Sequence, residues 1–298
     1  MANLKEVRTR IASVSSTQQI TSAMKMVSAA KFRRAQNAIL GMRPYAAQLA
    51  EIVADIDTGG EVLTPFHAVR PVRNVLIVVV TSNKGLCGAF NSNVIKQAQS
   101  RIDHFRATLP SDGTLHVLSI GKKSSELLMR QKDLQLTVSD EVLDNPTFDA
   151  IAHLSDGIMA DFADKRVDHV EVIYNEFKNS LTQVLSTEQF LPVVPGRKAS
   201  PEHRGDAPAK GRNDYIYEPS QEEIVRSIVP LTLRSTFYRI ILDSLASEHG
   251  ARMTAMQKAT DNATELLKDL RLSYNKARQA AITNEIIEIV SGSEALKG

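Results

Sequence analysis

The sequence has one cysteine, Cys87, so it can form no intrachain disulfide and no multi-cysteine zinc site. Its seven histidines, at 67, 104, 116, 153, 169, 203 and 249, are scattered, and none pairs at helical ligand spacing beside a carboxylate, so no metal is assigned. No apolar run approaches the roughly 20 residues that a bilayer crossing needs. The opening MANLKEVRTR lacks the apolar core of a signal peptide, and a cytosolic origin is expected. Acidic residues are missing between Glu6 and Glu51, where Arg8, Arg10, Lys25, Lys31, Arg33, Arg34 and Arg43 all fall. A solvated helix face normally mixes both signs, so this stretch is expected to meet an acidic partner. Nucleic acid fits poorly: only Phe32 and Tyr45 could stack on bases there, and no nucleic-acid module is recognisable.

Helix breakers are scarce at both ends of the chain. From Asn3 to about Asp57 only Gly41 and Pro44 interrupt, and after Pro230 no proline occurs and Gly250 is the only glycine before Gly292. Apolar residues recur at three–four spacing in the first stretch: Leu4, Val7, Ile11 and Val14, then Ala35, Ala38, Met42, Tyr45, Leu49, Ile52 and Ile56. Between these runs Gln18, Thr21 and Lys25 hold the expected seam positions, and the pattern predicts a register shift in which Ile20, Met24 and Val27 take over. In the last third Leu242, His249, Met256, Ala263, Leu270 and Ala277 sit seven apart, with Leu245, Ala259, Leu266, Ala280 and Ile287 as companions. Helices of this length, about 80–90 Å at 1.5 Å per residue, do not fit inside a small domain, and pairing along their seams as an antiparallel coiled coil is the economical solution. Pro230 is expected to kink the chain or start the long helix, leaving Gln221–Val229 as a separate short one.

The middle alternates strand and helix signals. Asn74–Val80, Thr114–Ile120 and His169–Phe177 read as strands, Leu134–Val138 as a fourth, and Asn93–Leu109, Lys122–Gln131 and Phe148–Lys165 as the helices between them. That order predicts α/β architecture with parallel pairing, and Thr182–Gln189 returning as an antiparallel neighbour. The predicted organisation is an N-terminal coiled-coil helix (1–58), a central α/β domain (70–220) with a mobile, Pro- and Gly-rich loop at 195–214, and a C-terminal coiled-coil helix (221–298).

No Ser-His-Asp order, nucleophile elbow or supported carboxylate pair appears. Asp140, Glu141 and Asp144 are expected to be a solvated turn. TSNKGLCGAFN (81–91), after the apolar run NVLIVVV, is a candidate phosphate loop by setting, but it lacks Gly-x-x-x-x-Gly-Lys-Ser/Thr and Gly-x-Gly-x-x-Gly spacing. Its glycines can equally serve positive φ or close backbone packing around a buried, unreactive Cys87. A nucleotide-binding reading and a mechanical or binding reading both remain at this point, the second favoured.

Three segments, RIASVSSTQQITSAMKMVSAAKFRRAQ (10–36), TSNKGLCGAFN (81–91) and ASEHGARMTAMQKATDNATELLKDLRLSYNKARQAAITNEIIEIVSGSEAL (246–296), resemble the signatures of the gamma subunits of bacterial F-type ATP synthases. YNEFKNSLTQ (174–183) and YIYEPS (215–220) extend the likeness from end to end. The resemblance implies a non-catalytic central rotor without a cofactor, whose terminal helices turn inside a ring of three alpha and three beta subunits. Its central Rossmann-like sheet domain would lie near the epsilon subunit and the c-ring, on the cytoplasmic face of the inner membrane, so that proton-driven rotation is coupled to ATP synthesis or hydrolysis on the beta subunits. Arg278, Gln279, Thr283 and Glu285 would then hydrogen-bond beta-subunit loops. Arg252, Met24 and Lys25 would face the acidic beta-subunit segment, and Tyr215 and Tyr217 the epsilon subunit and c-ring. The chain departs from relatives in having Gly250 where many carry Ala. It also has a lone cysteine where the chloroplast type carries a regulatory dithiol.

Overall fold

A computed structural model describes residues 4–57, 64–131, 134–179, 182–193, 218 and 220–295. The order is α1 (Leu4–Asp57), β1 (Asn74–Val80), α2 (Phe90–Thr108), β2 (Thr114–Ile120), α3 (Lys122–Leu128), β3 (Gln135–Val138), α4 (Phe148–Ala163), β4 (His169–Phe177), β5 (Gln183–Leu191) and α5 (Gln221–Ala295). The chain divides into two compact units, Met1–Ala29 with Arg252–Gly298 and Ala30–Ala251, so the division falls within both long helices.

The larger unit is built on a five-stranded sheet of order β3-β2-β1-β4-β5. Strand β1 pairs in parallel with β2 and β4, β2 in parallel with β3, and only β4 and β5 run antiparallel. β1 can sit at the centre because its sequence is apolar on both faces, as a strand covered on both sides must be. Val75, Ile77 and Val79 pack under α2 on Val94, Ala98, Ile102 and Phe105. Leu76, Val78 and Val80 face the opposite way, into a core shared with Ile151, Ile158 and Phe162 of α4 and with Val225, Val229, Leu233 and Phe237 of α5. Strands β1, β2 and β4 have the limits that their apolar runs predict.

Pro230 does not end or split the helix; α5 runs unbroken through it. An interior proline costs about 3 kcal/mol or more in a lost hydrogen bond and a ring clash. Val225, Val229, Leu233 and Phe237, on either side of Pro230 at helical spacing, are all buried against the sheet. At about 1.5–3 kcal/mol each, their burial exceeds that cost. Pro44 is likewise contained within α1.

The TSNKGLCGAFN loop follows β1; Ser82 is bonded within it, and Thr81 and Asn83 bond to the segments after β2 and β3. The Ser82 amide donates to Asn91 Oδ1 at 3.0 Å, and the Ser82 hydroxyl donates to the Lys84 carbonyl at 2.7 Å. At the start of α3 the amides of Gly121, Lys122 and Ser124 donate to Asp140 Oδ1, Asn83 Oδ1 and Thr81 Oγ1. Asp140 and Asp144 are therefore structural acceptors, Asp140 also receiving the Ser125 hydroxyl at 2.9 Å and Asp144 the Asn83 amide at 3.0 Å. Glu141 and Asp144 are exposed on a short turn, as expected; what the sequence did not show is that Asp140 accepts donors left by the bends after β1 and β2. Cys87 is buried as expected, its sulfur 3.2 Å from Asn91 Nδ2. Close packing is not what the loop glycines provide, because a Cβ on Gly85 or Gly88 meets nothing within 4 Å. Gly88 instead supplies a positive φ of 61°, and the close approach occurs at Gly121, where a Cβ would lie 2.5 Å from the Thr81 carbonyl oxygen.

Candidate functional site

The smaller unit is the paired part of α1 and α5. Three cross-helix hydrogen bonds define the pairing: Gln18 Nε2 to Thr264 Oγ1 at 2.7 Å, Thr21 Oγ1 with Thr260 Oγ1 at 2.8 Å, and Lys25 Nζ to Gln257 Oε1 at 2.6 Å. The numbers on one helix rise as those on the other fall, so the pair is antiparallel. Gln257 in turn donates to Asp261 at 2.8 Å, which extends the Lys25 contact into a short polar chain.

These bonds overturn the predicted register shift. Thr21 and Ser28 are buried, whereas Ile20 and Val27 are 60 % and 58 % exposed. The seven-residue repeat runs on without interruption through polar residues. Each seam hydroxyl has a partner: Thr21 and Thr260 meet each other, Ser28 donates to the Met24 carbonyl and Thr260 to that of Met256. A buried hydroxyl with a partner costs little, whereas one without costs about 1–3 kcal/mol. Hydropathy alone cannot see such a seam. The α5 companions match the prediction at Leu245, buried at 7 %, but not at Leu266, 39 % exposed, where Leu267 is buried at 5 %. Met256 and Ala263 are buried as the seven-residue spacing requires.

Extended along the same register, Leu4 falls level with about residue 278. α5, however, continues to Ala295. The last half-buried positions are Tyr274 and Ala277, and every described side chain from Arg278 to Ser293 is exposed. Ile282, Ile286, Ile287, Ile289 and Val290 are among them, a concentration of large apolar side chains that a lone solvated helix does not need.

The expected contact residues separate on this geometry. Arg278, Gln279, Thr283 and Glu285 all lie on the lone exposed stretch, where the Thr283 hydroxyl donates to the Gln279 carbonyl at 2.9 Å. Met24 is half-buried. Lys25 is a seam residue held by Gln257, not a free surface cation. Arg252 is 7 % exposed, so most of its side chain is covered within this chain. Tyr215, Tyr217 and the 195–214 loop lie outside the described residues. The residues missed were Gln257, Thr260 and Thr264 and the apolar tip. The tip was discoverable by counting, since the predicted second helix has more residues than the first can cover.

Among the described residues no group of three or more His, Cys, Asp or Glu side chains is placed to hold a metal ion, and no helix is long and apolar enough to cross a membrane.

Comparison with known proteins adds a family. Residues 3–296 match the family described as ATP synthase. A relative from Flavobacterium psychrophilum named ATP synthase gamma chain is 51 % identical over 304 residues, covering all of both chains. Among solved structures, a chain of the central stalk and c-ring of the Tetrahymena thermophila mitochondrial ATP synthase is 25 % identical, with a TM-score of 0.56 over 80 % of this chain and 99 % of that one. A chain of the Euglena gracilis mitochondrial ATP synthase, in a structure of OSCP, F1 and c-ring, shares the fold at 20 % identity, with a TM-score of 0.65 over 98 % of this chain and 94 % of that one.

Proposed function

The chain belongs to the ATP synthase gamma-chain family, and on that premise we propose that it is a non-catalytic rotor whose contacts with the catalytic ring are concentrated on the lone end of α5. The observation that carries this reading is the extension of α5 past the start of α1, as an exposed helix rich in isoleucine. An exposed apolar helix of this kind is stable in water only at some cost, and a surrounding partner removes that cost.

In this reading the ring's beta subunits carry the chemistry, and this chain selects among their conformations. A partner shifts such an equilibrium only by touching two conformations differently. Two features of the paired helices make that possible. Pairing stiffens the rod along its length, and the two helices with their unlike seams make it asymmetric around its axis. Arg278 and Gln279, with Thr283 and Glu285, supply hydrogen-bonding groups free of seam duties and suited to beta-subunit loops. Met24 is a further contact in this proposal. Lys25 and Arg252 act as supports, Lys25 by bridging to Gln257 and Arg252 from a buried position. Tyr215 and Tyr217 are assigned to the epsilon subunit and c-ring from the YIYEPS motif alone. Through these partners the chain would reside on the cytoplasmic face of the inner membrane without spanning it.

The experiment is to replace Arg278 and Gln279 together by alanine in the assembled complex and to measure ATP hydrolysis and proton pumping on the same preparation. Loss of pumping per ATP hydrolysed, or failure to assemble, is expected. Wild-type coupling would remove the two residues from the contact.

A further inference from the structure

In the larger unit, a partly buried cluster of charges joins the sheet to α5. The Arg239 guanidinium donates to Glu188 Oε2 of β5 and to Asp243 Oδ2 one turn further along α5, both at 3.2 Å. The Tyr174 hydroxyl of β4 donates to the other Glu188 oxygen at 2.6 Å and lies 3.5 Å from Arg239. Glu176, two residues beyond Tyr174 and on the same face of β4, adds a third carboxylate that acts on Asp243. Three elements, β4, β5 and α5, therefore contribute one guanidinium, one phenol and three carboxylates to one region. α1 packs nearby through Phe32, Ala35, Ala38, Ile39 and Met42. Asp243 is the most enclosed of these carboxylates, at 7 % exposure.

We propose that the Glu188–Arg239–Asp243 cluster is a proton-operated clasp: uptake of one proton at Asp243 as the medium acidifies strengthens the attachment of α5 to the β4–β5 edge, and its release weakens that attachment. Burial pushes the Asp243 carboxyl up from its ordinary value, Arg239 pulls it down, and Glu176 and Glu188 push it up again, with a net rise to about 6. The sign follows from linkage. A carboxyl whose folded pKa lies above its unfolded one contributes stability that is complete below the unfolded value of 3.8 and is lost as pH rises through about 6. The protonated acid can still accept from Arg239 through its carbonyl oxygen, so the guanidinium keeps a partner while the repulsion from Glu176 and Glu188 is relieved.

The test is equilibrium unfolding of the full-length chain by urea at about pH 5 and about pH 7.5, for the wild type and for Asp243→Asn. Asparagine keeps the shape and the acceptor but cannot titrate. Wild-type folding should weaken more than that of the variant on going to the higher pH, by about tenfold in the folding equilibrium constant. An equal pH response in the two proteins overturns the proposal. Should the Asn variant fail to fold, Glu176→Gln gives an independent reading. Removing that neighbouring charge should move the wild-type transition to lower pH, and an unmoved transition overturns the proposal as well. Neither readout depends on the partners of the chain, so failure here leaves the rotor reading untouched.

Discussion

The sheet unit and the paired-helix unit resist change in different ways. The sheet unit buries strands β1, β2 and β4 on both faces and ties its elements with polar clusters, Thr81–Ser124 and Ser125–Asp140 at one end and Tyr174–Glu188–Arg239 along one edge. The helix pair has a narrow seam, part of it made of Gln18, Thr21 and Lys25, and leaves Ile20, Met26 and Val27 outside. A two-sided core fixes one arrangement, because each side chain is enclosed by many others. A narrow polar seam depends on a few directional bonds, which keeps the remaining faces of both helices free for partners. The unit with the poorer core is thus the one with more surface to offer.

That contrast can be broken at graded cost. The largest effect is expected at Phe237, fully buried and 5.4 Å in ring centroid distance from Phe190. Phe237→Ala should lower stability by about 3–5 kcal/mol in urea unfolding, and a loss under about 1 kcal/mol would mean that the sheet unit repacks as freely as a surface. Next comes Gly121→Ala, which sets a Cβ against the Thr81 carbonyl at a φ of 114°. It should cost about 1–3 kcal/mol, while Gly85→Ala, with open space around it, should stay within about 0.5 kcal/mol. In the paired helices, replacing Thr21 and Thr260 together by valine removes both hydroxyls of one bond. The expected change is within about 1 kcal/mol of either sign, and a larger loss would show that the seam is as exacting as the core.

Much of this was legible in the sequence. VLIVVV (75–80), with no polar residue to place on a solvent face, specifies a two-sided central strand, and the paucity of breakers specifies two long helices. Pro230 misled because local propensity knows nothing of Val225, Val229, Leu233 and Phe237 holding the helix down on both sides of it. The seam misled for the opposite reason: Thr21 looks polar from the sequence, and only its partner Thr260, 239 residues away, makes it a core residue. The proposed contact residues come from family resemblance, not from hydropathy, since an exposed Arg278 or Gln279 has no local signature. What geometry adds is their placement past the start of α1, and the observation that Lys25 bonds to Gln257 and Arg252 is 7 % exposed.

The smallest structural effect is expected from Arg278→Ala with Gln279→Ala, at exposed positions on the lone helix, with stability unchanged within about 0.5 kcal/mol. Retained stability with lost coupling would separate the partner-facing surface from the fold.

The central claim, that this chain turns others' active sites and has none itself, is tested most directly by purifying it through an affinity tag from its native cells and measuring stoichiometry and nucleotide content. The account predicts three copies each of two larger subunits per chain, with bound nucleotide and hydrolysis confined to those subunits. Tight stoichiometric binding of ATP by the isolated chain, or its recovery without such a ring, would contradict it.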